Sequence, residues 1–426
     1  MQKKSDEEIR QAINSINWDF SDYSSMKYPL DINSIPWYPA SFPAPIPKYL
    51  IALLSHPGAV VFDPFGGKGT TAVEALKQRR KFVYNDLNPH AVSIMECTLQ
   101  ALSQPGFETD FLNLVQKDKD YINRGAIIVE HANYKGKKEN NITSRLSVTI
   151  LDSLLQSGIQ REAMYWFHAD TLAELLHIYN YIKSFKGYKL GIRKLAFISI
   201  LKDVCSQRGH FSYVTDNCKP DVMRYYNAYK AYLEMLERIQ MACIDFTRQY
   251  KVINKKTDLK RISKMCIIHS GDATDSSFLA DQSVDLVITS PPYLCAQDYI
   301  LTMRLNDFFF PDEGFKDLPL HELGPRRLRT RPNIVESYFH EMKKVGDEIY
   351  RVLKNDSYYC LIIGQGKGKV SKGIDVVEKI IDNFLACGFE EIARTNRTIS
   401  YRTNRIGGVD KEDILIFKKG NNAINN

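Results

Sequence analysis

The sequence has no C-x-x-C pair. Its eight cysteines, Cys97, Cys205, Cys218, Cys243, Cys266, Cys295, Cys360 and Cys387, stand far apart. That spacing argues against a zinc ribbon or a thioredoxin-type motif and reads as scattered reduced thiols, so no metal is expected. No uninterrupted apolar run approaches the roughly eighteen residues that a membrane span needs, so no membrane partner is expected. The amino end, Met1-Gln2-Lys3-Lys4-Ser5-Asp6-Glu7-Glu8, lacks the apolar stretch of a signal peptide, which points to a cytoplasmic protein. Two nucleotide motifs are missing as well. Lys68 is followed by Gly69, where a P-loop needs Ser or Thr, and the glycines do not fit G-x-G-x-x-G. No internal repeat occurs.

What is present is enough for a sizeable core. The chain has 426 residues, of which 44% are apolar, which suits one large domain carrying an insertion, or two domains. The net charge of +7 is unevenly spread: residues 117–264 hold 26 Lys+Arg against 15 Asp+Glu, a net of +11 that leaves −4 for the rest. Such an asymmetry suits an anionic partner docking on the middle segment, and also suits a lysine-rich solvated helical insert.

The chain is organised around one stretch, Asp285-Leu286-Val287-Ile288-Thr289-Ser290-Pro291-Pro292-Tyr293. Val284 to Ile288 reads as a buried strand, and two prolines stop it because neither can donate to a ladder. A hydroxyl, Ser290, is left at the strand's carboxyl end, where open α/β sheets bind ligands. This arrangement suits attack by an exocyclic amine. The amine lone pair is delocalised into its ring, and a hydroxyl and a prolyl carbonyl that accept from the NH2 localise it. An aromatic face such as Tyr293 stacks on the base, which must first leave its helix.

In chain order, residues 1–35 form an N-terminal leader with one amphipathic helix, Asp6 to Ile16. Proline-rich residues 36–50 lead into a helix from Pro47 to Ser55. Val60 to Asp63 is a strand, Gly66-Gly67-Lys68-Gly69 a tight turn, Thr70 to Gln78 a helix, and Lys81 to Asp86 the second strand. Asp86, about 17 residues after the last glycine, suits two ribose hydroxyls or caps the next helix. Residues 100–264 are mostly helical, with Asp221 to Val252 as one long helix. The loop from Cys205 to Asn217, with Arg208 and His210, mixes a cation, aromatics and amides. It suits DNA contact or a packed helix connection. The sheet resumes at Ile267. After Tyr293 a helix runs through Phe310, and Pro325 to Pro332 carries Arg326, Arg327, Arg329 and Arg331. These four make a phosphate clamp or a solvated loop. Tyr338 to Leu353 is a helix, Tyr358 to Ile363 a strand and Gly373 to Cys387 a helix. Phe389 to Ile392, Arg397 to Tyr401 and Asp413 to Lys418 are closing strands. Residues 421–426 read as a frayed tail.

Val60-Val61-Phe62-Asp63-Pro64-Phe65-Gly66-Gly67-Lys68-Gly69-Thr70-Thr71 resembles the cofactor motif of the S-adenosylmethionine-dependent DNA amino-methyltransferases. Ser290-Pro291-Pro292-Tyr293 is similar to the catalytic motif of their N4-cytosine members. The resemblance covers roughly residues 37–99 and 265–420. It implies an α/β fold: a doubly wound, Rossmann-like methyltransferase sheet. The methyltransferase domain would comprise 36–99 and 265–420, and the large, mostly helical insertion at 100–264 would be a DNA target-recognition region. The implied cofactor is S-adenosyl-L-methionine, held by Phe42, Asp63, Phe65, Gly67, Gly69, Thr70, Thr71, Asp86, Asp272 and Ala273. Asp63 would bind the methionine amino group, Asp86 the ribose and Asp272 the adenine amine. Ser290, Pro291, Pro292 and Tyr293 would be catalytic, with Arg208, His210 and the four arginines on DNA.

The expected reaction is therefore methyl transfer to the exocyclic N4 of cytosine in double-stranded DNA. The chain would be the modification enzyme of a restriction-modification system with a separate cognate endonuclease, since no P-D-x-n-(D/E)-x-K nuclease pattern stands out. No Pro-Cys pair occurs, so a ring-carbon nucleophile is excluded. Adenine N6 in DNA, guanine N2 in RNA and a non-catalytic DNA-binding subunit are the competing readings.

Overall fold

The computed structural model describes residues 4–20, 23, 30–39, 41–103, 107–125, 134–135, 161–207, 214, 217–253, 264–311, 318–366, 369–399 and 411–420. Seven strands form one sheet: β1 (Val60–Asp63), β2 (Lys81–Asp86), β5 (Cys266–Ser270), β6 (Val284–Thr289), β7 (Leu353–Gly364), β8 (Phe389–Thr398) and β9 (Lys411–Lys419). Their order is β5-β2-β1-β6-β7-β9-β8, and β9 alone runs against its neighbours. Two-residue strands β3 (Tyr134–Lys135) and β4 (Val222–Met223) pair separately.

The central strands are short and β-branched because helices cover both their faces. Alternate residues go to opposite sides. Val61, Leu286, Ile288, Cys360 and Ile362 join one core cluster. Phe62, Val287, Tyr359, Leu361 and Ile363 join the other. The first face carries α1 (Asp6–Ser15), α2 (Pro45–Leu54), α3 (Thr70–Lys77) and α4 (Pro89–Leu102). The second carries α10 (Ile334–Val352) and α11 (Val376–Ala386).

The middle segment contributes α5 (Phe107–Gly125), α6 (Ala169–Ile182), α7 (Tyr188–Val204) and α8 (Ala228–Ile253). It adds to the first core cluster, with Leu195, Phe197 and Leu236 buried there. Its centre is a buried ion pair. Arg193 Nη2 lies 2.6 Å from Asp118 Oδ1, and the phenols of Tyr181 and Tyr232 also donate to that carboxylate, at 3.1 and 2.9 Å. The residues before β1 tie this segment to the glycine turn. Arg238 on α8 donates to Ser34 Oγ at 2.8 Å, Asn33 donates to Glu74 on α3 at 2.8 Å, and Lys68 donates to the Asn33 carbonyl at 2.6 Å.

Three expectations change. The helix expected from Asp221 begins only at Ala228. Glu174 accepts from the Ala228 amide at 2.6 Å and the Tyr225 hydroxyl at 2.8 Å, Asn227 caps the new end through the Lys230 amide at 2.7 Å, and Val222–Met223 stay extended. The helix expected through Phe310 shrinks to a 3-10 turn, Leu301–Met303, and α9 (Arg304–Asp307). Phe389 and Arg397 share one strand, β8, while Tyr401 and residues 421–426 lie outside the described residues. Among the described residues, no helix is long and apolar enough to cross a membrane.

Asp118→Ala should lower stability by about 3–5 kcal/mol, because it leaves a buried guanidinium and two phenols unpaired. Urea unfolding monitored by far-UV circular dichroism measures this; a loss within the range of surface substitutions would deny the pair its central place.

Candidate active site

Five parallel strands point their carboxyl ends to one edge of the sheet. Asp63 pairs in register with Tyr84, Asp86 with Ser270, and Thr289 with Leu361. Beyond that edge lies a cleft of about 860 Å³, its open mouth included.

The glycine turn forms its floor. The Gly66 amide donates to the Asn85 carbonyl at 2.8 Å, and Tyr84 donates its hydroxyl to the Gly67 carbonyl at 2.6 Å. Gly69, the residue before α3, has φ +89°, a conformation that strains any other residue, and a Cβ there would fall 2.0 Å from Met95 Sδ and displace it. Asp86 accepts from the Gly67 amide through one oxygen and from the Asn88 amide through the other, each at 2.8 Å. Burial nevertheless raises its carboxyl to about 6. A second carboxylate, Asp272, borders the cleft and accepts from the Thr274 amide at 2.8 Å. Phe42, Phe65, Gly67, Thr70 and Ala273 lie on the wall with them, as do Ser290 and Pro292 from the end of β6.

Other expected contacts are turned away. Asp63 is buried and is not on the wall. Its Oδ1 accepts the Thr289 hydroxyl at 2.6 Å and the Phe65 amide at 3.1 Å, so it joins strand ends where a methionine amino group was expected. Burial raises this carboxyl to about 6, against the opposing hydroxyl of Thr289. Gly69 and Thr71 shape the turn from beneath, and Pro291 is buried. Tyr293 departs most from expectation. Its ring is buried and off the wall because its hydroxyl donates to buried Glu412 at 2.8 Å. Tyr299 is one of the aromatic side chains that do line the cleft.

Tyr299, close behind the Ser-Pro-Pro-Tyr motif, also lines the cleft, as do Tyr38, Asn88, His321 and Glu322, which motif spacing did not single out. Glu322 bridges two loops. One of its oxygens accepts the Tyr299 amide and the other Arg327 Nη1 at 3.2 Å. Burial, aided by nearby Asp298, raises its carboxyl to about 7. The backbone continues the zip, with the Cys295 amide on the Gly324 carbonyl at 2.8 Å and the Arg326 amide on the Gln297 carbonyl at 3.1 Å.

This arrangement divides the four arginines. Arg327 is committed inward, to Glu322 and to Asp298 at 3.6 Å, which removes it from a phosphate clamp. Arg326 is half-buried, whereas Arg329 and Arg331 are exposed. Arg208 and His210 lie outside the described residues. Among the described residues, no group of three or more His, Cys, Asp or Glu is placed to hold a metal ion.

The cleft suits a ligand that is part sulfonium amino acid and part nucleoside. It pairs aromatic and prolyl surface with two carboxylates beside a glycine turn. Residues 1–96 match the family model N6_N4_Mtase, described as DNA methylase. Curated relatives include the type II methyltransferase M.MjaI of Methanocaldococcus jannaschii, 26% identical over 200 residues, covering 42% of this chain and 59% of the relative. M.MjaII of the same organism is 21% identical over 411 residues, covering 83% and 76%. M.PvuII of Proteus hauseri is 38% identical over 56 residues, covering 13% and 17%. The chain thus spans about three fifths of the first relative's length.

Glu322→Gln should gain stability relative to the unchanged chain as pH rises from 5 to 8. A carboxyl raised from 4.5 to about 7 keeps its proton in the folded state between those values while the unfolded chain has lost it, so the fold loses stability across that window and the difference levels off above it. Melting temperatures of both proteins across this range test the sign. A gap independent of pH would mean that Glu322 is ionised throughout.

Proposed function

We propose that this chain, which belongs to the S-adenosylmethionine-dependent DNA amino-methyltransferase family, methylates the exocyclic N4 amine of cytosine in double-stranded DNA. One observation carries the reading. Ser290, at the end of β6, borders the same cleft as Asp86, Asp272 and the glycine turn. Amine acceptor and cofactor-binding groups therefore share one space.

S-adenosylmethionine, the cofactor of this family, supplies an electrophilic methyl group. Asp86 is the acceptor for ribose hydroxyls and Asp272 for the adenine amine. Phe42 and Phe65 cover the apolar parts. Ser290 Oγ accepts a hydrogen of the target amine, which returns the lone pair to nitrogen. The residues do this without a covalent bond between enzyme and base. A stacked, paired base offers its amine only within the duplex, so the target is flipped into the cleft. Tyr299, on the cleft wall, is the aromatic surface for it, and orientation supplies much of the rate. Serine before Pro-Pro supports cytosine over adenine. The positive middle segment reads the DNA site, and the enzyme serves as the modification partner of a separate restriction endonuclease.

Nucleoside mass spectrometry of genomic DNA from a methylation-free host expressing the chain tests this, with Ser290→Ala as control. N4-methylcytosine is expected in the first sample, and the variant should lower turnover at least tenfold. N6-methyladenine would overturn the choice of base. Absence of any methylated DNA base would overturn the activity. Separately, Arg329→Ala with Arg331→Ala should weaken DNA binding and flatten the plot of log affinity against log salt by about 2, near 0.9 for each phosphate no longer neutralised. An unchanged slope in filter binding would return both side chains to solvent.

A further inference from the structure

Ser290 does not stand alone at the cleft. Its hydroxyl donates to the Tyr293 hydroxyl at 3.3 Å, and Tyr293 donates to Glu412 Oε1 at 2.8 Å. The other oxygen of Glu412 accepts from Arg397 Nε at 2.7 Å and lies 2.6 Å from its Nη2. Arg397 on β8 and Glu412 on β9 are cross-strand partners, and both are buried, at 8% and 7% exposure. The last members of this row therefore come from the far edge of the sheet, more than a hundred residues from the motif.

Each hydroxyl in the row has one hydrogen, and the row has only one consistent direction. A guanidinium donates and never accepts. Arg397 donates to one oxygen of Glu412, and the Glu412 carboxylate only accepts. The Tyr293 hydrogen is thereby committed to Glu412, and the phenol oxygen is left to accept from Ser290. The Ser290 hydrogen then points into the protein, and the lone pairs of its Oγ face the cleft. An isolated serine would rotate its hydrogen toward an arriving amine as readily as away from it. A buried chain of this kind also polarises itself, since each bond strengthens the next in a low-dielectric interior.

We infer that Glu412, acting through Tyr293, is a positioning residue that holds the Ser290 hydroxyl as an obligate hydrogen-bond acceptor for the target amine. The inference rests on the function proposed above and gives Tyr293 a part other than stacking. Glu412→Gln reverses the row. Its amide oxygen turns to Arg397 and its NH2 to the phenol, Tyr293 then donates to Ser290, and the serine hydrogen is driven into the cleft. Tyr293→Phe removes the link and leaves the ring in place.

The test is steady-state methylation of DNA by the full chain and by both variants, alone and combined with Ser290→Ala. Melting temperature and S-adenosylmethionine affinity are measured on each protein. Both single variants should lower kcat about tenfold, with KM for DNA and cofactor affinity within about twofold of the unchanged chain. In the Ser290→Ala background neither should lower kcat by more than about twofold, because the group being oriented is gone. Single variants with an unaffected kcat overturn the inference. So does an undiminished tenfold loss in the Ser290→Ala background, since Glu412 would then act on the fold and not on Ser290. If Glu412→Gln fails to fold, Tyr293→Phe decides between the same outcomes. An unchanged chain that leaves DNA unmethylated would instead remove the function proposed above, a result distinct from active enzyme with unaffected variants.

Discussion

The hydrogen bond from Thr289 to the buried carboxyl of Asp63, 2.6 Å long, holds the two halves of the site together. Asp63 ends the strand that leads into the glycine turn, and Thr289 ends the strand that leads into Ser290. The residues are 226 apart in sequence and adjacent in space. Their parallel strands contact over only two register pairs, Val61 with Leu286 and Phe62 with Val287. A buried carboxyl needs partners, and here the partners are the two loops that must stay aligned. Cleft geometry is thus coupled to the satisfaction of one core group.

The rim beyond is built with charges as well. Glu322, Asp298 and Arg327 knit the loop after the catalytic motif to the arginine-rich segment. One arginine spent inward places Arg329 and Arg331 at the exposed end of the same segment. A buried ion pair is a poor source of stability, but it fixes geometry well, because the alternatives leave a charge unpaired. Asp118 and Arg193 repeat the device inside the middle segment. They set the packing of α5, α7 and α8.

The elements that a short local pattern specifies were legible in the sequence. Val60 to Asp63, the glycine turn, Lys81 to Asp86 and Val284 to Ile288 follow from apolar runs bounded by glycine or proline, and so does the acid at the end of the second strand. Phe42, Phe65, Gly67, Thr70, Asp86, Asp272, Ala273 and Ser290 all border one cleft. The helix expected from Asp221 was not legible. Its start is set by Glu174, a residue some fifty positions earlier, and Asn227 was the only local sign.

By itself, then, the sequence determined which strands end beside which chemical groups: periodicity, glycine and proline act over a few residues and need no distant partner. The directions of the side chains were decided only by the tertiary structure. Asp63 turns inward because Thr289 arrives beside it, and Arg327 is withdrawn because Glu322 is buried next to it. Tyr293 leaves the wall because Glu412, held by Arg397 across two closing strands, accepts its hydroxyl hydrogen. In each case a polar group follows the partner that satisfies it inside the fold, and that partner is remote in the chain.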